Sequence, residues 1–458
     1  SNRWRIITIM AYTNYIHRTP SSNGNRQKFT ISTWVKKTNA TGQGWIITVD
    51  TYSSGNMAQL QLDTGSYIGF QQYHGSSNQT SVTTNNLLRD VNAWYHLVLR
   101  VDTTQSTAAD RVRIYINGTE ASYDTTTYPS QNFEYQINHT TKHSIGSRED
   151  TSSGSSLYYS HYHLCDGYSY APTEFGETDS TTGEWKIKTS PSVSYGTNGF
   201  FIFKDGMNLS GSTVQDQSGQ SHNLTLVGTS VETQDNPSNV FAVLNNQTYH
   251  FVNHFTANTN GNTTANAGGA SQWKTQLTTL GASSGKYYFE AKLQTLGTYA
   301  MIGICDMSVA NQNSSSAWYL GNTASSAQWG YNAGSGEIYN NDSSVSGYGA
   351  TYTTNDIIGV AMDLDNLKLY FHKNGTYQNS GVPTSGSTGT GAISITADKT
   401  YGFGVCGYAG TVWNVNFGNG FFGTTAISSE GTNASGIGKF EYDVPAGYTA
   451  LSTKGLNE

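Results

Sequence analysis

Carboxylates that could act as a catalytic pair occur in one acidic stretch, at Glu174, Glu177, Asp179 and Glu184. Glycoside hydrolases need two carboxylates close together, one of them as the acid, and on β-sandwich folds these typically alternate along one strand. The spacing here does not fit that pattern, and Gly176 together with Thr181-Thr182-Gly183 predicts a solvated loop. The chain is therefore predicted not to be an enzyme.

Two further pairs of residues could bind a metal ion. Asp363 and Asp365 share one strand face and could hold Ca²⁺ or form a dyad, but we favour turn chemistry, with Asp365 closing a hairpin and Asp363 exposed. His161 and His163 also share one strand side, but Zn²⁺ would need a third ligand from elsewhere, so exposed strand histidines are the favoured interpretation. No metal or other cofactor is predicted.

The three cysteines, Cys165, Cys305 and Cys406, stand among apolar or aromatic residues of expected strands. An odd number at such wide spacing gives neither a disulfide framework nor a metal knuckle. They are predicted to be small buried hydrophobic residues, and a Cys305–Cys406 bridge is the alternative.

Aromatic surface is the remaining candidate for function. Residues 314–352 combine rings with Gly, Ser and Asn, a composition typical of adaptable binding loops, and the rings are Trp318, Tyr319, Trp329, Tyr331, Tyr339, Tyr348 and Tyr352. We predict that these rings contact a ligand. The alternative is that about half of them are core, since Trp329 and Tyr331 alternate like strand residues. Tyr67, Tyr73 and His74 border a similar loop, and they are weaker candidates for ligand contact.

These candidates must be positioned by β-strands, and the clearest strand pattern lies in residues 354–376. A period of two predicts one strand with a buried face formed by Ile358, Val360, Met362 and Leu364. After a turn at Asp365-Asn366, the return strand is predicted to place Leu367, Leu369 and Phe371 inward and Lys368, Tyr370 and His372 outward. Asn374-Gly375 then predicts a second tight turn.

Residues 93–120 repeat this order: a long strand, a turn that contains Asp, a short strand and Asn117-Gly118. Two copies of one supersecondary unit, far apart in the chain, predict an all-β protein with two tandem antiparallel β-sandwiches.

Composition narrows the class of protein. The chain has 458 residues with 50 Gly, 31 Tyr and only 12% charged residues, against roughly 25% in an average globular protein. The net charge of −7 provides no basic surface for nucleic acid. No stretch approaches the ~18 apolar residues of a membrane span. These properties fit a β-rich extracellular or virion surface protein.

The hairpin sequences resemble two known families. IIGVAMDLDN followed by KLYFHKNG resembles the SPRY domain, and WYHLVLRVD followed by VRIYINGTE resembles the concanavalin-A-like, laminin-G-like sandwich. Longer strings at residues 13–37, 175–188 and 439–457 resemble a two-module family of structural proteins from tailed bacteriophages, many of them marine. The resemblance covers nearly the whole chain, and its strings identify an architecture rather than catalytic motifs.

The expected division has three parts. Residues 1–170 are expected to form the laminin-G/concanavalin-A-like β-sandwich, and residues 246–458 the SPRY-like β-sandwich, of which residues 440–451 are a C-terminal strap. Residues 171–245 are expected to be a connecting region with short strands, which either completes the first sandwich or packs between the two. Asn236-Pro237 is the predicted break point, because the residue before a proline is pushed out of helix.

The resemblance implies a non-enzymatic virion structural protein, assembled in the host cytoplasm with other virion proteins and displayed on the phage head or tail as a homo-oligomer or in many copies. Its expected role is adhesion to host-surface glycans or decoration of the particle. Two alternatives stay open: a glycan hydrolase on a concanavalin-like fold, and a bacterial surface adhesin. An adhesin is expected to carry a signal peptide or an anchor, and neither is visible in this sequence.

Overall fold

The computed structural model describes residues 6–9, 14–38, 42–50, 55–75, 77–148, 154–204, 209–245, 255, 257–308, 318–322 and 326–457. The chain divides into two compact units, residues 2–238 and residues 239–458. Each unit consists of antiparallel sheets, and short 3₁₀ turns are the described helical elements, at Ala108–Asp110, Pro172–Glu174, Gln378–Ser380, Pro383–Thr388 and Gly455–Asn457. The predicted all-β class with two tandem sandwiches is confirmed.

In the first unit, the strands among the described residues are β1 (Ile6–Ile9), β2 (Tyr15–Arg18), β3 (Lys28–Lys37), β4 (Gly44–Val49), β5 (Asn56–Leu62), β6 (Ile68–His74), β7 (Ser77–Thr84), β8 (Trp94–Asp102), β9 (Val112–Ile116), β10 (Thr119–Glu120), β11 (Tyr123–Thr127), β12 (His143–Ile145), β13 (Leu157–Asp166), β14 (Gly176–Thr178), β15 (Trp185–Ile187), β16 (Phe200–Ile202), β17 (Leu209–Ser210), β18 (Thr213–Val214), β19 (Leu224–Val227) and β20 (Ser230–Thr233).

Two large sheets form the sandwich of the first unit. One has the order β10-β9-β8-β3-β13-β1-β20, with β16 also paired to β13, and the other has the order β11-β7-β6-β5-β4-β12-β2-β19-β18-β17. Side chains of both sheets, such as Ile31 of β3 and Phe70 of β6, form one buried core. A smaller apolar cluster around Cys165, Phe175 and Tyr195 packs elsewhere in this unit.

Residues 171–245 do not form a separate connecting region. β16 pairs with β13, β19 with β2 and β20 with β1, and Ile202 and Leu226 belong to the core of the first unit. Ala242 and Leu244, by contrast, belong to the core of the second unit. The segment up to Ser238 therefore completes the first sandwich, and the units divide two residues beyond Asn236.

The described part of the second unit has the strands β21 (Ala257–Thr259), β22 (Thr264–Asn266), β23 (Trp273–Leu277), β24 (Lys286–Thr295), β25 (Tyr299–Asp306), β26 (Gln328–Asn332), β27 (Ile338–Asn340), β28 (Ser343–Val345), β29 (Ile357–Asp363), β30 (Lys368–Lys373), β31 (Thr376–Tyr377), β32 (Ile393–Ser394), β33 (Tyr401–Tyr408), β34 (Val412–Asn416), β35 (Phe421–Phe422), β36 (Thr425–Ala426) and β37 (Thr449–Ala450).

A nine-stranded and a six-stranded sheet form the second sandwich. The larger sheet has the order β21-β22-β34-β24-β29-β30-β31, with β32 paired to β30 and β37 paired in parallel to β24. The smaller sheet has the order β23-β33-β25-β26-β27-β28. The core contains Phe289 and Val360 from the larger sheet and Ile302 and Phe403 from the smaller one.

The hairpin of residues 354–376 forms as β29 and β30, with one difference from the expected turn. Asp363 pairs with Lys368, so four residues connect the strands, and Leu367 takes the left-handed conformation with φ of 56°. Asn374-Gly375 is the predicted tight turn, with φ of 48° and 83°, and Asn117-Gly118 repeats it with φ of 48° and 79°. Both turns are confirmed.

The outward face of β30 is covered rather than solvated. Tyr370 and His372 are fully buried, although the alternation of the strand predicted them on the outer face. The C-terminal strap supplies the cover, since Tyr370 packs in a cluster with Phe440, Val444 and Tyr448. A period of two assigns a side chain to a face, but a second layer of chain decides whether that face meets water.

Candidate functional site

Five of the seven rings predicted for ligand contact lie in the interior. Their exposed fractions are at most 6%, and they are Trp318, Trp329, Tyr331, Tyr348 and Tyr352. Tyr352 donates a hydrogen bond to the carbonyl of Tyr331 at 2.6 Å, and the Tyr348 hydroxyl accepts the N–H of Phe371 at 3.3 Å. The alternative interpretation, that about half of the seven rings are core, holds for these five, because they fill the second core and the cluster beside it.

Tyr319 and Tyr339 are half-buried and join a row of rings that the sequence does not bring together. Tyr339 meets Tyr319 edge-on with 6.1 Å between ring centroids, and Tyr319 lies 5.2 Å from Trp273. Trp273 stacks on Tyr299 at 5.6 Å and meets Tyr408 at 5.8 Å. We call these five rings the aromatic strip.

Strand register explains why the strip forms. In the smaller sheet of the second unit, β33 lies between β23 and β25. Tyr408 of β33 is paired both with Trp273 and with Tyr299, so three rings stand side by side at one level of the sheet. Directly paired residues point to the same face of an antiparallel sheet. Tyr299 is 50% exposed, so the row opens to solvent.

The strip carries no charge of its own near neutral pH. Burial and then the neighbouring Asp342 raise the pKa of Tyr319, and the Tyr319 hydroxyl donates a hydrogen bond to that carboxylate. Burial and then Glu337 raise the pKa of Tyr339. The phenols of Tyr319 and Tyr339 therefore stay protonated, and they offer ring faces and hydroxyl groups rather than ionic contacts.

Three members of the strip were missed from the sequence: Trp273, Tyr299 and Tyr408. Tyr299 stands at the beginning of β25 and Tyr408 at the end of β33. An aromatic residue at a strand end was the available signal. What joins these ends is the antiparallel register, which no local pattern encodes.

Comparison with known families identifies the two units. Residues 11–157 match the concanavalin A-like lectin/glucanases superfamily, in its laminin-G-type model, and residues 286–397 match the SPRY domain. The chain carries a concanavalin A-like domain and a SPRY domain. A comparison with curated protein sequences gave no match.

Several solved structures are similar to parts of this chain at low identity. The SPRY domain of human HERC1 is 18% identical, with a TM-score of 0.27, over 35% of this chain and 90% of that domain. A heptameric SAP-like pentraxin from Limulus polyphemus is 15% identical, with a TM-score of 0.28, over 37% of this chain and 78% of the pentraxin chain. A proposed carbohydrate-binding protein from Bacteroides ovatus is 13% identical, with a TM-score of 0.35, over 51% of this chain and 60% of that protein.

In the concanavalin A-like domain, the three weaker candidates do not form one site. Tyr67 precedes β6, whereas Tyr73 and His74 end it. A strand of this length separates its two ends by about 20 Å. Tyr168 and Tyr170 stack on each other in the same unit, with 5.3 Å between ring centroids, and Tyr168 is 39% exposed.

The two histidines expected on the surface of β13 are buried as well. A bulge between Ser160 and His163 interrupts the alternation, and His161 sits in it with φ of 46°. Burial lowers the pKa of His161 to about 3, and burial lowers that of His163 well below its usual value. Within the residues that the structure describes, no three His, Cys, Asp or Glu side chains gather as a metal site.

The acidic candidates serve local structure. Glu174 to Glu184 is not a loop throughout: β14 and β15 pair as a hairpin, whose turn is held by Asp179 through the N–H groups of Thr181 and Thr182 and through Lys186. Asp363 is buried rather than exposed and pairs with Lys286 at 3.0 Å. Asp365 accepts the N–H of Gly285 at 2.7 Å.

The cysteine prediction is confirmed, since Cys165, Cys305 and Cys406 are buried and free, without the alternative bridge. Cys406 accepts the N–H of Leu320 at 3.1 Å beneath the strip. Among the described helical residues, no segment has the length and apolarity to cross a membrane.

Proposed function

We propose that this chain is a non-enzymatic structural protein of a tailed-phage virion that adheres to host-surface glycans through the aromatic strip of its second unit. The strip is the observation that carries the proposal. Five rings form a continuous, uncharged row of neighbours 5.2 to 6.1 Å apart, with its most exposed member, Tyr299, at 50%. The strings that resemble phage structural proteins support the virion setting.

Ring faces bind sugars by packing against the C–H faces of pyranoses, while phenol groups donate and accept hydrogen bonds. Aromatic contacts are worth about 0.5–1.5 kcal/mol per ring beyond the area that they bury. A single strip of this size would bind in the millimolar to micromolar range. Display in many copies on a particle, as a homo-oligomer or on an array of other virion proteins, would raise avidity without new contacts.

The proposal of a non-enzymatic role is supported by the way the acidic stretch is used. Asp179 is engaged by its turn and by Lys186, and that partnership holds the pKa of Asp179 below its usual value. A general acid requires instead a carboxyl with a raised pKa beside a second carboxylate.

The strip is tested with a glycan array and a pull-down on host cells, using the full chain against Trp273→Ala and Tyr299→Ala. Both variants should lose binding, because each removes a ring from the row. Tyr168→Ala is the matched control, since it removes an exposed, stacked tyrosine from the other domain. Binding that survives both strip variants, or that collapses between low and moderate salt, would show that the neutral strip is not the contact surface.

The virion setting is tested separately, by electron microscopy of particles labelled with an antibody to this chain. Label on the head or the tail is expected. Particles without label would contradict the virion role and leave the ligand-binding role of the strip to the array experiment.

A further inference from the structure

A second candidate site lies in the second unit, where the strap passes the beginning of β24. It is a cavity of about 370 Å³. Small-molecule sites in proteins occupy roughly 300–1,000 Å³, so its size suits a small ligand. Four segments form it: the beginning of β24, the turn after β29, residues 434–435, and the strap together with Gly455. Its wall includes Lys286, Tyr287, Asp365, Tyr448 and Thr449.

The wall carries both signs of charge. The Lys286 ammonium lies 3.0 Å from the buried Asp363 carboxylate and 5.9 Å from the centre of the Tyr448 ring. Asp365 uses Oδ1 to accept the N–H of Gly285, and its side chain is exposed. An anion would meet the Asp365 carboxylate, and a cation would meet the Lys286 ammonium. A neutral ligand that both donates and accepts hydrogen bonds satisfies the two groups together.

We propose that this cavity binds a neutral, polyhydroxylated small molecule of the size of one sugar residue. Asp365 accepts hydrogen bonds from ligand hydroxyls, and Lys286 donates to them. Tyr287 and Tyr448 supply apolar wall.

This site is distinct from the aromatic strip. The cavity adjoins the first residues of β24, whereas Tyr299 of the strip follows the end of β24 after a short connection. Ten residues of extended strand span about 30 Å. The inference therefore does not depend on glycan binding by the strip.

The test uses the full chain and isothermal titration calorimetry with D-glucose, D-galactose, D-mannose and N-acetyl-D-glucosamine. At least one sugar should bind with a Kd of about 1 mM, a weak but specific affinity. Asp365→Asn keeps the shape of the side chain and removes the charge that strengthens its hydrogen bonds to ligand hydroxyls, so binding should weaken about tenfold. Ala434→Trp, at the exposed rim, should abolish binding by filling the cavity.

Tyr299→Ala separates the two sites, because it removes a ring from the strip and leaves the wall of the cavity in place. Tyr168→Ala, in the other unit, is the control that should leave binding of the free sugars unchanged. Absence of any heat at sugar concentrations up to about 50 mM would overturn the inference, as would binding that Ala434→Trp and Asp365→Asn leave intact. Loss of sugar binding in Tyr299→Ala but not in Ala434→Trp would place the ligand on the strip and overturn only this second site. Putrescine or citrate binding in place of sugar would overturn the neutral ligand class.

Discussion

Glu290 shows how one buried side chain connects two distant parts of the second unit. Its carboxylate accepts the backbone N–H groups of Glu441 and Tyr442 in the strap, each at 2.8 Å, and the hydroxyl of Tyr288 at 2.8 Å. The Tyr288 oxygen lies 2.6 Å from Nε2 of His372, whose Nδ1 accepts a backbone N–H. The neutral ring therefore carries its proton on Nε2 and donates it to the Tyr288 oxygen. This chain of hydrogen bonds holds the strap on the outer face of the larger sheet.

A single core position tests the assignment of the inner face. Val360 is fully buried between the sheets, so Val360→Asp would place an unpaired charge in the core and should lower the free energy of unfolding by several kcal/mol. Val345→Asp is the matched control, because Val345 is 63% exposed and the same change there should cost under about 0.5 kcal/mol. Urea denaturation compares the two variants. Equal midpoints would contradict the register of β29.

At the scale of elements, the two Asn-Gly turns share more than their backbone. Asn117 Oδ1 accepts the N–H of His96 at 2.8 Å, and Asn374 Oδ1 accepts the N–H of Ile357 at 2.8 Å, so each asparagine ties its turn to the first strand of the hairpin. An aromatic ring from elsewhere then covers each glycine. A Cβ on Gly118 would lie 2.5 Å from the Trp185 ring.

Replacing either glycine with alanine should therefore destabilise the fold by more than the backbone strain alone. A Cβ on Gly375 would lie 2.8 Å from the Tyr442 ring. Gly118→Ala and Gly375→Ala should each destabilise by about 2–5 kcal/mol, from left-handed strain plus overpacking. Gly183→Ala is the control: Gly183 has φ of 75° and open space around its Cβ position, so only about 1–2 kcal/mol is expected. Thermal unfolding of the three variants measures the difference, and equal losses would mean that ring contact adds nothing.

At the scale of the whole molecule, the two units divide at residue 238 and not at 245. Phe241 and Leu244 are buried in the second unit, where Phe241 packs with the strap cluster and Leu244 with the main core. A module that begins at residue 246 would lose both side chains.

Two versions of the second module test this boundary. Residues 239–458 should fold into a β-rich module, and residues 246–458 should be several kcal/mol less stable, because a buried Phe and a buried Leu are both missing. Circular dichroism and urea denaturation provide the measurement. Identical midpoints for the two modules would contradict the assignment of residues 239–245 to the second core.

The units should also differ in their response to acid. Four histidines of the first unit are buried with lowered pKa values. Burial, and to a lesser extent the neighbouring His161, lowers the pKa of His96 to about 3. Burial lowers the pKa of His143 to about 4, and it also lowers the pKa values of His161 and His163. Such groups bind fewer protons folded than unfolded, so stability is lost as the pH falls below about 6.5 toward the folded-state values.

In the second unit, the buried Glu290 and His372 change the stability in opposite directions as the pH falls. Burial raises the pKa of Glu290 to about 7, which favours the folded state as the pH falls from about 7 toward 4.5. Burial lowers the pKa of His372 to about 3, which acts in the opposite direction below about 6.5. Between pH 7 and 5, hydrogen–deuterium exchange of the full chain should therefore show loss of protection in the first unit and little change in the second. Parallel loss in both units would contradict this account.

The sequence by itself determined the strand-based architecture. The alternation around Val360, the Asn-Gly dipeptides after two short strands and the hairpin strings predict two antiparallel sandwiches, and the structure has them. These signals are local: a period of two follows from strand geometry, and left-handed backbone angles favour Asn and Gly whatever surrounds them.

The tertiary structure alone decided which side chains are covered and which meet. Tyr370 and His163 were predicted on outer faces of their strands and are buried, because a second layer of chain covers the face on which they stand. Trp273, Tyr299 and Tyr408 come from separate strands, and only the register of β23, β33 and β25 places them side by side. Burial and register depend on residues far away in the chain, so the sequence pattern around each ring cannot contain them.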